Sequence, residues 1–297
     1  MIMSAVNVKM TQDYARSLLP KRPEDSNKAT FGNVLNVAGS YSYRGAACLS
    51  SAAALRVGAG YVTFAGIEKV ADAVNAFVPD AVLCPLREKS GSIAPEEAPR
   101  VLSLVPRATV VSLGCGLTCL GYPHTDVLAF FNAVMNGLSR FFVPVVLDAD
   151  GLNLFSEAPG VELQNMVMTP HPKELSRLLK LDVAAIQADR VSAVIAAADK
   201  FHATVVLKGH ATLVSDGRTV FENTTGCSAL AKAGAGDVLT GIISGLCAQG
   251  LSVTDAACLG VYLHGLAGDL AAKDLTEYGV LASDLLKYIP RAIAATF

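Results

Sequence analysis

The chain has 297 residues, 52% of them hydrophobic and only 17% charged, so it is long and apolar enough to bury a large core. Lys and Arg number 24 against 26 Asp and Glu, and this net charge of −2 leaves no basic surplus to neutralise a nucleic-acid backbone. Aromatic residues are scarce, at 6%, and small residues are abundant, which favours a layered α/β protein over an aromatic-filled β-sandwich.

Strand-like and helix-like segments alternate along the chain, because short β-branched runs are followed by longer Ala- and Leu-rich stretches at helical period. In the first half the pattern predicts strands at 34–38, 61–65 and 109–113 and helices at 46–57 and 126–136. In the second half it predicts strands at 145–147, 167–168 and 204–207, helices at 172–179 and 183–201, a hairpin of 211–214 and 219–222, and helices at 237–248, 254–273 and 282–293.

Near-continuously apolar strands joined through helices predict a mostly parallel sheet covered on both faces, in three α/β/α layers, with the hairpin as an antiparallel margin. No internal repeat or linker divides the sequence, so residues 1–297 are interpreted as one domain. Ligands of such sheets lie beyond the carboxyl ends of the strands, which makes the loops that follow strands the candidate sites.

Cellular location is indicated by the cysteines and the N-terminus. The seven cysteines are scattered and cannot all pair within the chain, which indicates a reducing compartment. The first residues lack the pattern of a signal peptide, and no apolar run approaches the roughly 20 residues of a membrane helix. The expected location is the cytoplasm, with neither membrane nor nucleic acid as a partner.

A glycine-rich turn, Gly234-Ala235-Gly236-Asp237, opens directly into an apolar helix and is the sharpest functional signal. Successive backbone amides at such a helix start converge on one space, and the helix dipole adds about half a positive charge there. A phosphate can approach the glycine backbone closely, and Asp237 would lie where a base could meet it. The alternative is that Asp237 only caps the helix, and the adjoining Gly-Ala-Gly weighs against it.

Two rival phosphate motifs are excluded. The sequence contains no Gly-Lys dipeptide and therefore no P-loop. It contains no Gly-x-Gly-x-x-Gly either; Leu239 and Cys119, for example, occupy the third glycine position after Gly234 and Gly114 respectively. A Rossmann cofactor site is therefore disfavoured.

Six segments together resemble one family: residues 31–40, 44–47, 58–62, 148–153, 169–174 and 234–239. The glycine-Asp turn resembles the ribokinase-like superfamily as a whole. Thr169-Pro170-His171-Pro172-Lys173-Glu174, with Asp148-Ala149-Asp150-Gly151-Leu152-Asn153 and Gly58-Ala59-Gly60-Tyr61-Val62, is similar to a narrower branch, the NAD(P)H-hydrate dehydratases of the YjeF C-terminal type. The resemblance extends from about residue 27 to residue 291.

This resemblance implies a hydro-lyase that repairs hydrated NADH or NADPH. ADP, or ATP in some members, phosphorylates the added hydroxyl with Mg²⁺ present, and loss of phosphate restores the nicotinamide ring. By position Asp237 would be the base that takes the hydroxyl proton, a role worth ~10²–10⁴-fold in rate. The amides of Gly234, Ala235 and Gly236 would hold the transferred phosphoryl group.

Binding residues are also implied by the resemblance. Lys208, Gly209, His210, Ala211 and Thr212 would contact the nucleotide together with Gly236, although a strand-end turn with a solvated Lys is an equal alternative from the residues alone. The hydrated dinucleotide would contact Ala46, Gly116, His171 and Asp237.

Several roles stay open. Arg44 is a candidate phosphate partner, and Glu174 either favours the helix dipole or helps to hold magnesium through water. Asp148 and Asp150 suggest metal ligands, but a helix cap at Asp150 is an equal alternative, so the metal ligands are unknown.

Two other functions are weighed beside the dehydratase. One is a ribokinase-like kinase of a small alcohol, such as a vitamin precursor or sugar, and the other is a non-catalytic nucleotide sensor. Some family members carry an epimerase domain, which we expect here on another chain. Family members are often tetramers, so the resemblance leaves a homotetramer open.

Overall fold

The computed structural model describes residues 6–158 and 160–297. The strands in these residues are β1 (Val6–Met10), β2 (Asn33–Val37), β3 (Tyr61–Ile67), β4 (Val82–Leu86), β5 (Glu88–Lys89), β6 (Ser92–Ile93), β7 (Val110–Leu113), β8 (Val145–Leu147), β9 (Met166–Met168), β10 (Thr204–Leu207), β11 (Leu213–Ser215) and β12 (Thr219–Asn223). The α-helices are α1 (Gln12–Leu18), α2 (Arg44–Arg56), α3 (Glu68–Phe77), α4 (Ala98–Leu104), α5 (Thr125–Leu138), α6 (Asp150–Glu157), α7 (Pro172–Leu179), α8 (Val183–Ala188), α9 (Arg190–Phe201), α10 (Ala235–Ala248), α11 (Val253–Gly279) and α12 (Ala282–Thr296).

Ten strands form one sheet in the order β1-β12-β11-β10-β9-β8-β7-β2-β3-β4, and β5 and β6 form a small separate hairpin. From β10 to β4 every neighbouring pair in that order is parallel. Strand β11 runs antiparallel to both β10 and β12, which is the hairpin that the sequence predicts. Because β2, β7, β8, β9 and β10 are parallel, the loops after them all lie at one edge of the sheet.

Helices cover the sheet in two groups whose members pack among themselves. One group is α1, α2, α3, α10, α11 and α12, and the other is α4 to α9. The central strands are buried throughout, as expected for a sheet with helices on both faces. None of the described helices combines the length and the apolar character that crossing a bilayer requires.

Helices α2 and α10 meet along a seam of small residues, which we call the α2–α10 seam: Ser50, Ala53 and Ala54 on α2 with Gly241 and Gly245 on α10. A Cβ atom at Gly241 would lie only 2.2 Å from the carbonyl oxygen of Ser50. Only glycine permits this backbone approach, so the seam fixes where α10 lies along α2.

The predicted α/β class with a mostly parallel sheet is confirmed, and the predicted strands and helices are present with end shifts of a few residues. One helix differs. Residues 183–201 form two helices, because Asp189 has non-helical backbone angles and its side chain accepts a hydrogen bond of 3.0 Å from the amide of Ser192. Asp at a helix cap competes in this way with continuation of the helix.

Several elements lie outside the sequence prediction. Strand β1 pairs in parallel with β12 and lies beyond the predicted hairpin, at the edge of the sheet. The others are α1, α3, β4 to β6 and α4.

Candidate active site

Helix α10 begins with the glycine-rich turn. Gly234 is its N-cap in the left-handed region, with φ of 90°, and no side chain of the described residues caps this helix. The amide of Ala235 donates to the carbonyl oxygen of Lys232 at 3.2 Å, so this predicted anion donor is engaged within the protein. The amides of Gly236 and Asp237, by contrast, have no backbone or side-chain acceptor among the described residues. They are available for an anion.

Asp237 lies in the first turn of α10 beside a second carboxylate. Side-chain atoms of Asp237, Asp148 and Cys115 all lie within 4.8 Å of one another. Burial, followed by the charge of Asp148, raises the pKa of Asp237 to about 6. A carboxylate with this pKa is mostly ionised at neutral pH and still binds a proton readily, as a general base requires.

Lys208 neutralises the buried carboxylates. Its Nζ lies 2.8 Å from Oδ1 of Asp148 and 3.8 Å from Oε2 of Glu174. Burial opposes the charge of Lys208, but these two carboxylates outweigh it and raise its pKa to about 12. Burial likewise opposes ionisation of Asp148, yet Lys208 and the hydroxyl of Thr240, which donates to Oδ2 at 2.7 Å, hold its pKa below the usual range. Lys208, whose side chain is only 20% exposed, is therefore a largely buried ion-pair partner rather than a solvated surface lysine.

The loop after β10 lies beside the same turn. A Cβ atom at Gly236 would lie 3.5 Å from Nζ of Lys208. Arg190 holds this loop by donating to the carbonyl oxygens of Leu207, at 3.1 Å, and His210. A cavity of about 140 Å³ lies between loop and turn, lined by Lys208, Gly209, Thr212, Asn223, Thr225, Leu230, Ala235, Gly236, Leu239, Val261, His264 and Gly265. Four predicted nucleotide residues, Lys208, Gly209, Thr212 and Gly236, thus share one cavity.

Gly116 and Ala46 are brought together next to Cys115, whose side chain lies near Asp237. A Cβ atom at Gly116, whose φ is 63°, would lie 2.5 Å from Cβ of Tyr43 and 3.1 Å from Cβ of Ala46. The loop after β7 therefore packs against the start of α2, with Cys115 between Gly116 and the Asp148–Asp237 pair.

His171 is the N-cap of α7 and forms a capping box with Glu174. Its Nδ1 accepts hydrogen bonds from the amides of Lys173, at 3.1 Å, and Glu174, at 3.2 Å, while Oε2 of Glu174 accepts from the amide of His171 at 2.7 Å. Burial raises the pKa of Glu174 to about 7, although Lys208 opposes this shift. Of the two roles left open for Glu174, the structure favours the helix start.

The structure describes the surroundings of Asp150 and Arg44, whose roles the sequence leaves open. Asp150 is the first residue of α6 and its Oδ2 accepts from the amide of Thr118 at 2.8 Å, so it ties down the loop after β7. Ala149, with φ of 51°, holds the cap position that the sequence assigns to Asp150. Arg44 begins α2 with its guanidinium 5.8 Å from the ring centre of Tyr41, so its role as a phosphate partner stays a prediction.

Three residues of the site lie outside the sequence prediction. Thr240 was detectable, because it stands one helical turn after Asp237 and faces the same way. Cys115 lies between the two glycines of the loop after β7, and nothing in the sequence indicates that its side chain lies beside both carboxylates. Arg190, which braces the nucleotide loop from α9, gives no local signal.

Comparison with known proteins identifies the family. A family model described as NAD(P)H-hydrate dehydratase matches residues 34–291. The chain belongs to this family. Its relatives include the ADP-dependent (S)-NAD(P)H-hydrate dehydratase of Neisseria meningitidis, 40% identical over 89% of this chain and 86% of that protein. They also include the bifunctional NAD(P)H-hydrate repair enzyme of Coxiella burnetii, 37% identical over 92% of this chain and 52% of that protein.

Solved structures agree with this family assignment. The ADP/ATP-dependent NAD(P)H-hydrate dehydratase of Bacillus subtilis, co-crystallised with ATP and Mg²⁺, superposes with a TM-score of 0.82 at 27% identity over 99% of this chain and all of that one. A hydroxyethylthiazole kinase of Pyrococcus horikoshii shares the fold, with a TM-score of 0.60 at 16% identity over 94% of this chain and 91% of that one. This chain spans about half the length of the bifunctional relatives it matches.

Proposed function

We propose that this chain catalyses the ADP- or ATP-dependent dehydration of hydrated NADH or NADPH, restoring the reduced dinucleotide. The observation that carries the proposal is the start of α10, where two uncommitted amides and the partly buried Asp237 carboxylate lie beside the cavity that Lys208 lines. Donors for a phosphate and a base for its acceptor are the two requirements of phosphoryl transfer.

In the first step Asp237 takes the proton from the added hydroxyl of the hydrate. The hydroxyl oxygen then attacks the terminal phosphorus of the donor, and the bond from that phosphorus to the bridging oxygen breaks, which leaves AMP from ADP or ADP from ATP. The amides of Gly236 and Asp237 hold the transferred phosphoryl group and the charge that develops on it. Because Asp237 must be ionised, we expect turnover to fall as pH drops through about 6.

In the second step the carbon–oxygen bond of the phosphate ester breaks and its electron pair leaves with the phosphate. The neighbouring ring carbon loses a proton, and the electrons of that carbon–hydrogen bond form the ring double bond. Phosphorylation is what makes the oxygen a good leaving group. A kinase fold in a family of lyases is explained in this way.

The nucleotide and the dinucleotide contact different residues of the site. The phosphate end of the nucleotide would lie in the cavity formed by Lys208, Gly209, Thr212 and Gly236, with His210 and Ala211 in the same loop. The dinucleotide lies against Ala46, Gly116 and His171, so that its hydroxyl reaches Asp237. The two ligands then meet at the start of α10.

Magnesium fits this site as an ion bound mainly by phosphate oxygens and water. The described carboxylates form no all-protein cage, since Lys208 and Thr240 occupy Asp148, and the acidic cluster includes the soft thiol of Cys115. Asp150, which uses one carboxylate oxygen for Thr118, is the residue that would hold its water shell. The ion would supply neutralisation of phosphate charge.

One incubation tests the function. The protein is mixed with hydrated NADH, ADP and Mg²⁺, and the absorbance of the dihydronicotinamide is followed together with phosphate release. Recovery of absorbance with equal phosphate release supports the dehydratase. Accumulation of a stable phosphorylated small alcohol would favour a kinase, and nucleotide binding without turnover would favour a sensor.

A further inference from the structure

His171 is held in one tautomer by the helix that it caps. Two backbone amides donate to its Nδ1, at 3.1 and 3.2 Å, so this nitrogen must present its lone pair and carries no proton. The single proton of a neutral ring is therefore on Nε2. Sequence resemblance places His171 at the substrate but does not reveal which nitrogen carries the proton or what chemistry follows.

The surroundings of His171 also keep the ring neutral. The charged groups that face it are Lys208 and Arg177, which disfavour protonation, and Asp148 and Glu174, which favour it. Burial of the ring and the charge of Lys208 lower its pKa, with Asp148 opposing. A protonated ring would also have to give up both amide donors at Nδ1, because a protonated nitrogen cannot accept.

Nε2 is oriented and only weakly engaged. It lies 3.4 Å from Oε1 of Glu174, longer than a normal N–H···O hydrogen bond, and 46% of the His171 side chain is exposed. Oε2 of Glu174 also accepts a hydrogen bond from the backbone amide of His171, which fixes the carboxylate beside the ring. The Nε2 proton therefore remains able to donate to a ligand. The loop after β9 places this N–H at the same sheet edge as Lys208.

We propose that His171 acts on the bound dinucleotide as a neutral hydrogen-bond donor through Nε2, with Glu174 as a positioning residue. The group that it recognises is an oxygen acceptor of the hydrate, and His171 removes no proton in the reaction. This inference rests on the proposed function. It follows the physical logic by which a helix N-terminus keeps a catalytic imidazole neutral so that it polarises an acceptor.

The tautomer is tested first, by ¹⁵N NMR of the imidazole in the full chain at pH 7, with His171→Gln used to assign the signal. We expect Nε2 protonated and Nδ1 unprotonated. A ring protonated at Nδ1, or at both nitrogens, would overturn the proposal whether or not the protein turns over hydrated NADH.

A crossed pair of variants tests the donor. Asn at position 171 can cap α7, but its amide does not reach the position of Nε2, whereas Gln places an N–H near Nε2 and caps poorly. We expect His171→Asn to keep thermal stability and lose about tenfold in kcat/KM for the hydrate, as for one lost hydrogen bond. His171→Gln restores only part of the donor, so it should lose about threefold in kcat/KM, less than His171→Asn, while its Tm falls by about 2–4 °C.

A donor role and a cap role for His171 give opposite results for the Asn variant. If His171 were only a cap, the Asn variant would keep the kcat/KM of wild type, and the small fall in Tm would not lower that of the Gln variant. If His171 were a base, both variants would lose the decline of kcat/KM at low pH that we assign to Asp237. Either result would overturn the proposal, and an inactive wild type would instead reject the proposed function. The KM for ADP should be unchanged in both variants.

Discussion

The starts of α10 and α7 lie at the same edge of the sheet and are capped in different ways. At α7 the side chains of His171 and Glu174 take up the backbone donors in a capping box. At α10 the N-cap is Gly234, which has no side chain, and the amides of Gly236 and Asp237 are left without an acceptor among the described residues. One helix start is closed by its own residues and the other is open to a ligand.

The two helix starts differ in their capping residues and not in their dipoles. Both ends carry the positive end of a helix dipole, so the dipole alone does not distinguish them. The capping residues do, because they decide whether the amides bind a phosphate or fix a side chain. Lys208 lies between the two ends, 2.8 Å from Asp148 on one side and 3.8 Å from Glu174 on the other.

The largest expected effect is at the open helix end. Asp237→Asn should lower kcat by about 10²–10⁴-fold, since the general base is lost, and should leave ADP binding within a fewfold of wild type. Steady-state rates and calorimetric titration with ADP measure the two quantities. Asp284→Asn, in the first turn of α12, is the control and should be fully active. Full activity of Asp237→Asn would remove this residue from the mechanism.

The next effect is at the residue between the two ends. Lys208→Met should lower the free energy of unfolding by about 3–5 kcal/mol, because Asp148 is left buried without its ion-pair partner. Urea denaturation measures it, and Lys9→Met, which breaks an exposed pair with Glu222, should cost only about 0–1 kcal/mol. The double variant Lys208→Met with Asp148→Asn should recover part of the loss. Equal losses for Lys208→Met and Lys9→Met would contradict the buried ion pair.

A third effect concerns the charge of Asp237. Its pKa in the folded protein is raised from 3.8 to about 6, so the ionised side chain destabilises the fold above pH 6 and the cost disappears as pH falls toward 3.8. Asp237→Asn should therefore be more stable than wild type at pH 8, by at most about 3 kcal/mol, with a smaller difference at pH 5. Urea denaturation at both pH values measures it. A larger stability difference between Asp237→Asn and wild type at pH 5 than at pH 8 would show that folding does not raise the pKa of Asp237.

The smallest effect is at the cap itself. Gly234→Ala should cost about 1–2 kcal/mol for the left-handed backbone, and the added Cβ would lie 2.7 Å from Cδ1 of Leu49. Because the turn must shift, the Kd for ADP should also rise. Gly250→Ala is matched: its φ is 93° but the space around it is open, so it should lose stability without weakening ADP binding. Similar ADP affinities in the two variants would show that the turn at Gly234 does not contribute to ADP binding.

Local pattern was enough to predict the open helix start. Glycines at 234 and 236, an acid in the first turn and an apolar helix are all contiguous in sequence. The start of α7 at Pro172 was predicted on the same grounds. The use of His171 as its cap was not, because His is an uncommon N-cap and its ring reaches the amides only in the folded geometry.

Contacts between residues that are far apart in sequence cannot be predicted from the local pattern. Lys208 and Asp148 are 60 residues apart, and neither flanking sequence distinguishes a buried ion pair from a solvated lysine. Strand β1 is not predicted for a similar reason, since its pairing with β12 joins residues more than 200 positions apart. Helix α3, by contrast, had a readable stripe of Val70, Ala71 and Val74. The interpretation of residues 1–297 as one domain stays a prediction.

The α2–α10 seam ties remote substitutions to the chemistry. Gly241 stands four positions after Asp237 on one rigid helix, and its backbone rests on Ser50. A bulkier residue there would push α10 outward and carry the base and the phosphate amides along with it, although it touches neither ligand. Screens scored by turnover alone would count such a residue as catalytic, and only a parallel readout of folding would separate the displaced helix from missing chemistry.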